Sequence, residues 1–325
     1  MTAVVTVCLL TLPGVLSAQG NREAAFERVR EVQERHTDAL MTVEGVVGTA
    51  VGANENAQHA VLVFLERPGI GGIPKQLDGI PVRPEVTGRI EALARPVKPA
   101  PVDPTAWFAR PVPIGVSTGH PGITAGTIGC RVVDASGNVY ALSNNHVYAN
   151  ENKASLGDWV LQPGPYDGGD DPVDAIGTLE VFIPIAFNGT ANYIDAAIAL
   201  SNTGLLGTAT PSGGYGRPSS STAAAKINMK VKKYGRTTGL TKGKVSAVNA
   251  IVNVGYDSGT ARFVNQIVVV PGTFSAGGDS GSLIVTESGN MPVGLLFAGS
   301  STATIANPIG AVLSAFNVMI DSSVP

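Results

Sequence analysis

At 325 residues, 44% of them hydrophobic, and with a formal net charge of −3, the chain can bury one large core and still hold a smaller module beside it. The balanced charge excludes the electrostatic footprint of a nucleic-acid or anionic-membrane partner, and the locally basic run Lys226 to Arg236 reads as a solvated strand face. Past the amino terminus no apolar stretch reaches the unbroken length of a membrane span, so the mature protein is expected to be soluble.

Residues 1–18 read as a signal peptide. The apolar run Ala3 to Leu10 is followed by Pro13-Gly14 and Ser17-Ala18, although no Lys or Arg precedes it. A secreted or periplasmic protein is therefore expected. Residues 21–95 are expected to form a small α+β accessory module. Its helix spans Asn21 to Met41, with Phe26, Val29, Gln33, His36 and Leu40 recurring on one side, and strands follow at Val43 to Gly48 and Ala60 to Leu65. Ile80-Pro81-Val82 and Pro84 to Thr87 add an edge. A folding-assisting or inhibitory pro-region, an oligomerisation surface and a structural extension are all open as its role.

Residues 96–112, rich in proline from Pro96 to Pro104, suit an extended linker and mark a boundary. From 113 to 325 short β-branched runs alternate with Gly, Asn, Asp and Pro turns, the pattern of an all-β sandwich or barrel pair. Gly126 to Val133 should pair with Asn138 to Ser143 across Asp134-Ala135-Ser136-Gly137. Ile309, Leu313, Phe316 and Ile320 recur at helical spacing and predict a C-terminal helix. Cys130 reads as a small buried hydrophobe.

The chemistry concentrates in Gly277-Gly278-Asp279-Ser280-Gly281-Ser282, which sets a serine among glycines just ahead of the apolar run Leu283-Ile284-Val285. Glycine permits a tight turn and close approach of a carbonyl, so the amides of Gly278 and Ser280 can converge on a developing oxyanion. A serine nucleophile needs a base, and the base needs an orienting acid. Of the four histidines, His36 and His59 read as solvated and His120 lies in a turn, whereas His146 ends the apolar run Val139 to Val147 at polar turn residues. Asp195 interrupts Tyr193 to Leu200, where a lone charge is costly without a partner.

The order His146, Asp195, Ser280 resembles the trypsin-like, chymotrypsin-fold serine peptidases, over roughly residues 123 to 320. Ser143-Asn144-Asn145-His146-Val147 is similar to the histidine motif of HtrA-type proteases, and Ile194 to Ala199 to the family's aspartate strand. Gly235-Arg236-Thr237-Thr238-Gly239 resembles a streptogrisin-type segment, and Gly278-Asp279-Ser280-Gly281 the serine motif. The resemblance implies a mainly β, chymotrypsin-like double β-barrel with a C-terminal helix, preceded by the α+β module. It implies a serine endopeptidase acting on peptide or protein substrates without a cofactor, in which His146 is the base, Asp195 its orienting partner, Ser280 the nucleophile, and Gly278 with Ser280 the oxyanion hole.

Further expectations follow from that resemblance. Asp279 buries its carboxylate against a charged or amide donor, which in secreted relatives is often a new amino terminus. Phe297 replaces a serine, leaving Asp195 one hydrogen bond short. Phe274, Phe297, Ala298 and Gly299 line the substrate pocket, with Phe274 filling its floor. The cluster Asp167, Asp170, Asp171 and Asp174 looks exposed; its carboxylates are of the kind that bind calcium, but a solvated turn is the expected reading and no metal is named. A catalytically silent, protease-like peptide-binding module is the alternative from another class.

Overall fold

The structure, a computed structural model, describes residues 13–92 and 102–323. The apolar run of the expected signal and the centre of the proline-rich linker lie outside those residues.

Two closed β-barrels carry the molecule. In the first, the order is Trp159–Leu161, Ala175–Phe182, Ala197–Ser201, Val139–Ser143, Cys130–Val133 and Met319–Ile320. The circle closes through Ser117–Thr118, which pairs with Gly126–Thr127 and continues into Gly119, bonded to Leu161 in both directions at 2.9 and 3.2 Å. Ile114, Ile128, Leu142, Tyr148 and Ile176 fill this core, with Cys130 fully buried among them as a free thiol. Apolar residues on the inward side of the pleat explain the folding: each strand buries that face only by curling round its neighbours.

The second barrel runs Lys230–Gly235, Leu283–Thr286, Pro292–Gly299, Thr304–Pro308, Gly259–Val270 and Gly239–Tyr256, and the last strand pairs back to the first. Gly239–Tyr256 and Gly259–Val270 form a long hairpin whose register shifts between Val245 and Ala247, again before Ala250, and again before Val252. Each shift bends and twists the ribbon. One hairpin therefore serves the barrel near Lys244 and leaves it further on, to end beside the first barrel.

There it meets the amino-terminal module. Val46–Ala53 pairs with the hairpin through Gly48 to Val252 and Val51 to Val248, so the module's sheet and the second barrel's are one hydrogen-bonded sheet. His59–Leu65 adds antiparallel and Ile80–Val86 parallel to it. The helix Pro13–Met41 covers the outer face with Val29, Val32 and Leu40 against Val51, Val61 and Val63. Buried Gln33 bonds Thr49 at 2.8 Å and receives Asn249 at 3.1 Å, tying helix to hairpin. Beyond the module strands, Glu91–Ala92 pairs with both Gly255 and the end of Pro292–Gly299.

The expected hairpin after Cys130 and the closing helix are present, the latter as Ile309–Phe316. Ile320 is not in that helix. Asn317 takes a left-handed φ of 53° and stops it, and Ile320 instead pairs with Val132.

Candidate active site

His146 sits in the short helix Asn145–Tyr148, directly after strand Val139–Ser143, and its side chain is 9% exposed. Its Nδ1 lies 2.6 Å from Asp195 Oδ2. The Asp195 side chain is wholly buried, which is tolerable only because the carboxylate is well supplied with donors. The His146 backbone N–H reaches Oδ1 at 3.3 Å, and the Tyr256 hydroxyl donates to Oδ2 at 2.9 Å. Two buried asparagines fix the aspartate's backbone: Asn144 donates to its carbonyl at 2.8 Å, while Asn307 accepts its N–H at 3.0 Å and donates to that carbonyl at 3.2 Å.

The shortfall expected at Asp195 from Phe297 is therefore filled. Tyr256 stands near the tip of the long hairpin, its ring edge-on to His146 at 5.9 Å between centroids. Burial first, and then the Asp195 charge, hold its phenol well above the ordinary range. Nothing in its local sequence marked it, because only the bulged course of the hairpin carries it to the first barrel.

Ser280 is buried and flanked by two glycines at positive φ, 91° at Gly278 and 93° at Gly281. A Cβ at Gly281 would strike Ser143 Oγ and the Thr127 carbonyl, and one at Gly278 would meet Thr237 Oγ1. Both glycines are needed for conformation and for close packing, Gly281 against the first barrel and Gly278 against the Arg236–Thr237 turn of its own. Thr127 stitches the two together: its N–H donates to Ser280 O at 2.7 Å and its hydroxyl to Gly278 O at 2.9 Å, while Ser143 donates to its carbonyl at 2.8 Å. Ser280 Oγ donates to Phe297 O at 3.3 Å. The Ser280 loop is thereby pinned beside the strand that leads to His146. His146 Nε2 has no hydrogen-bond partner among the described residues.

Asp279 is fully buried. It accepts from Thr237 N at 2.9 Å, Thr238 N at 3.2 Å, Thr238 Oγ1 at 2.7 Å and Ala276 N at 3.0 Å, and it pairs with Lys233 Nζ at 3.1 Å. The expected charged donor is thus a lysine side chain. Burial lowers the Lys233 ammonium, and Asp279 opposes that shift. This corrects the reading of Lys226 to Arg236 as a solvated face: Lys233 is wholly buried, and Arg236 forms a buried pair with Asp167, its Nε 2.8 Å from the carboxylate. Asp167 accordingly is not exposed, because Arg236 and the Ser117 hydroxyl draw it inward. Asp174 accepts the Trp107 indole at 2.9 Å. Among the described residues no cluster of three or more His, Cys, Asp or Glu side chains is arranged to hold a metal ion.

A cavity of about 830 Å³ opens beside His146, lined also by Gly277, Gly299, Tyr256 and Glu91. Phe274 does not floor it. Its ring packs in the second barrel's core with Val231, Val245 and Leu296, since nothing polar on the side chain favours a wet cleft. Phe297 is also buried, tilted against Phe263 at 4.7 Å, and does not line the cavity; its carbonyl accepts the Ser280 hydroxyl. Gly299 reaches the cavity, and Ala298 precedes it on the same strand. The remaining histidines stand elsewhere: His36 beside Asp78, His120 beside Asp158, and His59 half-buried against Phe26.

No family model matches the chain, and no curated protein does. Solved structures do. A glutamic acid specific serine protease described as using a histidine triad in substrate binding is 25% identical, over 65% of this chain and 100% of that one, with a TM-score of 0.48. A chymotrypsin from Cellulomonas bogoriensis is 20% identical over 65% and 99%, at 0.44, and protease A from Thermobifida fusca 18% identical over 65% and 99%, at 0.46.

Proposed function

We propose that the protein is a serine endopeptidase that cleaves peptide bonds through His146, Asp195 and Ser280. The observation that carries this reading is the 2.6 Å contact of His146 Nδ1 with a buried carboxylate, which leaves the buried Nε2 without a hydrogen-bond partner among the described residues. That contact favours the imidazole tautomer protonated on Nδ1, so Nε2 is the basic nitrogen. In this mechanism the Ser280 hydroxyl gives up its bond to Phe297 O and donates to Nε2 instead. The base takes its proton as Oγ attacks the substrate carbonyl, and the N–H groups of Gly278 and Ser280 receive the charge that develops on oxygen. His146 then protonates the leaving amine. Water hydrolyses the acyl-enzyme by the same steps in reverse order of roles.

The segments taken to shape the pocket ahead of the scissile bond, Thr273 to Ala276 and Phe297 to Ser300, hold no carboxylate. A buried Lys or Arg side chain there would stand unpaired at a cost of several kcal/mol, so small or medium uncharged residues are preferred. Faster turnover of Lys or Arg peptides than of matched Ala, Val or Leu peptides would refute this preference.

Ser280→Ala tests the function. It should retain the fold, lose labelling by a fluorophosphonate probe, and keep only a small residual hydrolysis, because binding and oxyanion groups remain. Wild-type turnover by that variant would remove Ser280 from the mechanism. Failure of the unmodified protein to label would favour a silent peptide-binding module. We further propose export with loss of residues 1–18, which N-terminal sequencing of the mature protein checks. No helix among the described residues is long and apolar enough to cross a membrane.

A further inference from the structure

The end of strand Pro292–Gly299 is already paired, and its partner comes from the module. Ala92 lies opposite Ala298 and Glu91 opposite Gly299, antiparallel, while Glu91 also meets Gly255 in parallel register. The Gly255 N–H donates to Ile90 O at 3.1 Å. Ile90 is 3% exposed, packed with Phe263, Phe297 and Ala303, and the Thr302 hydroxyl holds Thr87 O at 3.1 Å just upstream. An extended piece of the chain is therefore wedged between the hairpin tip and the strand, and Arg89, Glu91 and Ala92 line the same cavity as His146.

The register is informative. Ser280 Oγ touches the carbonyl of Phe297, the residue just before Ala298. Any extended peptide that pairs in this direction with Gly299 and then Ala298 carries its next residue level with Phe297, and so with the Ser280 hydroxyl. Main-chain pairing along a strand end is a recurrent way to bind peptides of varied sequence. Under the proposed function extended substrate backbone pairs with the end of Pro292–Gly299, and we propose that Ile90 to Ala92 is the resident occupant of that edge, seated as the amino-terminal side of a substrate would be and competing with it. This rests on reading the cleft as a substrate groove. Incoming peptide binds only after Glu91 and Ala92 leave Gly299 and Ala298, and Ile90, buried in the core shared by module and barrel, opposes that departure.

The test uses the full chain with Ser280→Ala, so that nothing is turned over, and a fluorescein-labelled peptide of sequence Thr-Gly-Arg-Ile-Glu-Ala read by fluorescence anisotropy. Adding Glu91→Pro and Ala92→Pro together, which removes the backbone donor from the edge whichever of the two pairs carries it, should tighten peptide binding at least about tenfold. Adding Ile90→Ala, which loosens the anchor without proline, should tighten it by a smaller factor and serves if the proline chain does not fold. Equal affinity in all folded chains would overturn the proposal. Fluorophosphonate labelling of the chain with Ser280 intact reads the hydrolase assignment separately. Labelling without an affinity contrast removes the occupant and keeps the enzyme; an affinity contrast without labelling does the opposite.

Discussion

Two side chains that take no part in bond making hold the site together. Lys233 and Asp279 are both fully buried, and a buried pair that loses one member typically costs about 3–5 kcal/mol because the other charge is stranded. Lys233→Met should therefore lower the unfolding free energy by about that amount and slow Ser280 labelling, since Asp279 anchors the loop; equal melting temperature and labelling rate would show that the pair is dispensable. Tyr256→Phe keeps the ring and deletes the hydrogen bond to Asp195. Such a bond to a charged group is worth about 1.5–3 kcal/mol, and kcat/KM should fall about tenfold with KM little changed. The same residue makes a prediction in pH. Its folded phenol ionises well above the ordinary 10.0, so above that pH the unfolded chain has released a proton that the folded chain retains. Its contribution to stability is complete below the unfolded value and is lost as pH climbs beyond it. From about pH 10 upward the melting temperature of the wild-type protein should drop more steeply than that of Tyr256→Phe.

At the scale of elements, the long hairpin decides the architecture. Its bulges let Val248 to Val252 receive the module strand Val46–Ala53, and Ala50, Leu62 and Phe64 share a core with Val252, Phe263 and Phe297. A fragment of residues 102–325 alone would expose that strand edge and apolar face. It should melt at least several degrees lower than the full chain, or aggregate; a fragment of equal stability would mean that the module contributes nothing to the barrel. These elements also divide what the sequence discloses from what it hides. His146, Asp195 and Ser280 were legible because each is a polar residue set against an apolar run, and the Cys130–Val133 hairpin because Asp134 to Gly137 is turn chemistry. Lys233 was hidden by counting charge along Lys226 to Arg236 without its pleat. With a period of two it shares the inward face of Val231 and Gly235, and that alternation was the available signal. Tyr256, Phe274 and Arg236 depend on where bulges and loops send a strand, which no local pattern states.

For the molecule as a whole, the site is made at a seam: the first barrel supplies His146 and Asp195, while the second supplies Ser280, Tyr256 and the Asn307 that grips the aspartate. The fold needs no covalent staple there, since Cys130 is a free and buried thiol that burial makes still harder to ionise. Melting curves with and without a reductant should superimpose, and a shift on reduction would point to oxidation of Cys130 with Cys8 or to a bridge between two chains. The pairing of Asp279 with Lys233 has one more consequence. Its counter-ion belongs to strand Lys230–Gly235, deep in the chain, so Asp279 takes its charge partner from the sheet and not from a chain end. Acetylation, a tag or a fusion at the amino terminus should leave that pair intact, and a chain carrying a bulky amino-terminal fusion should react with a small phosphonylating probe at the rate of the untagged one.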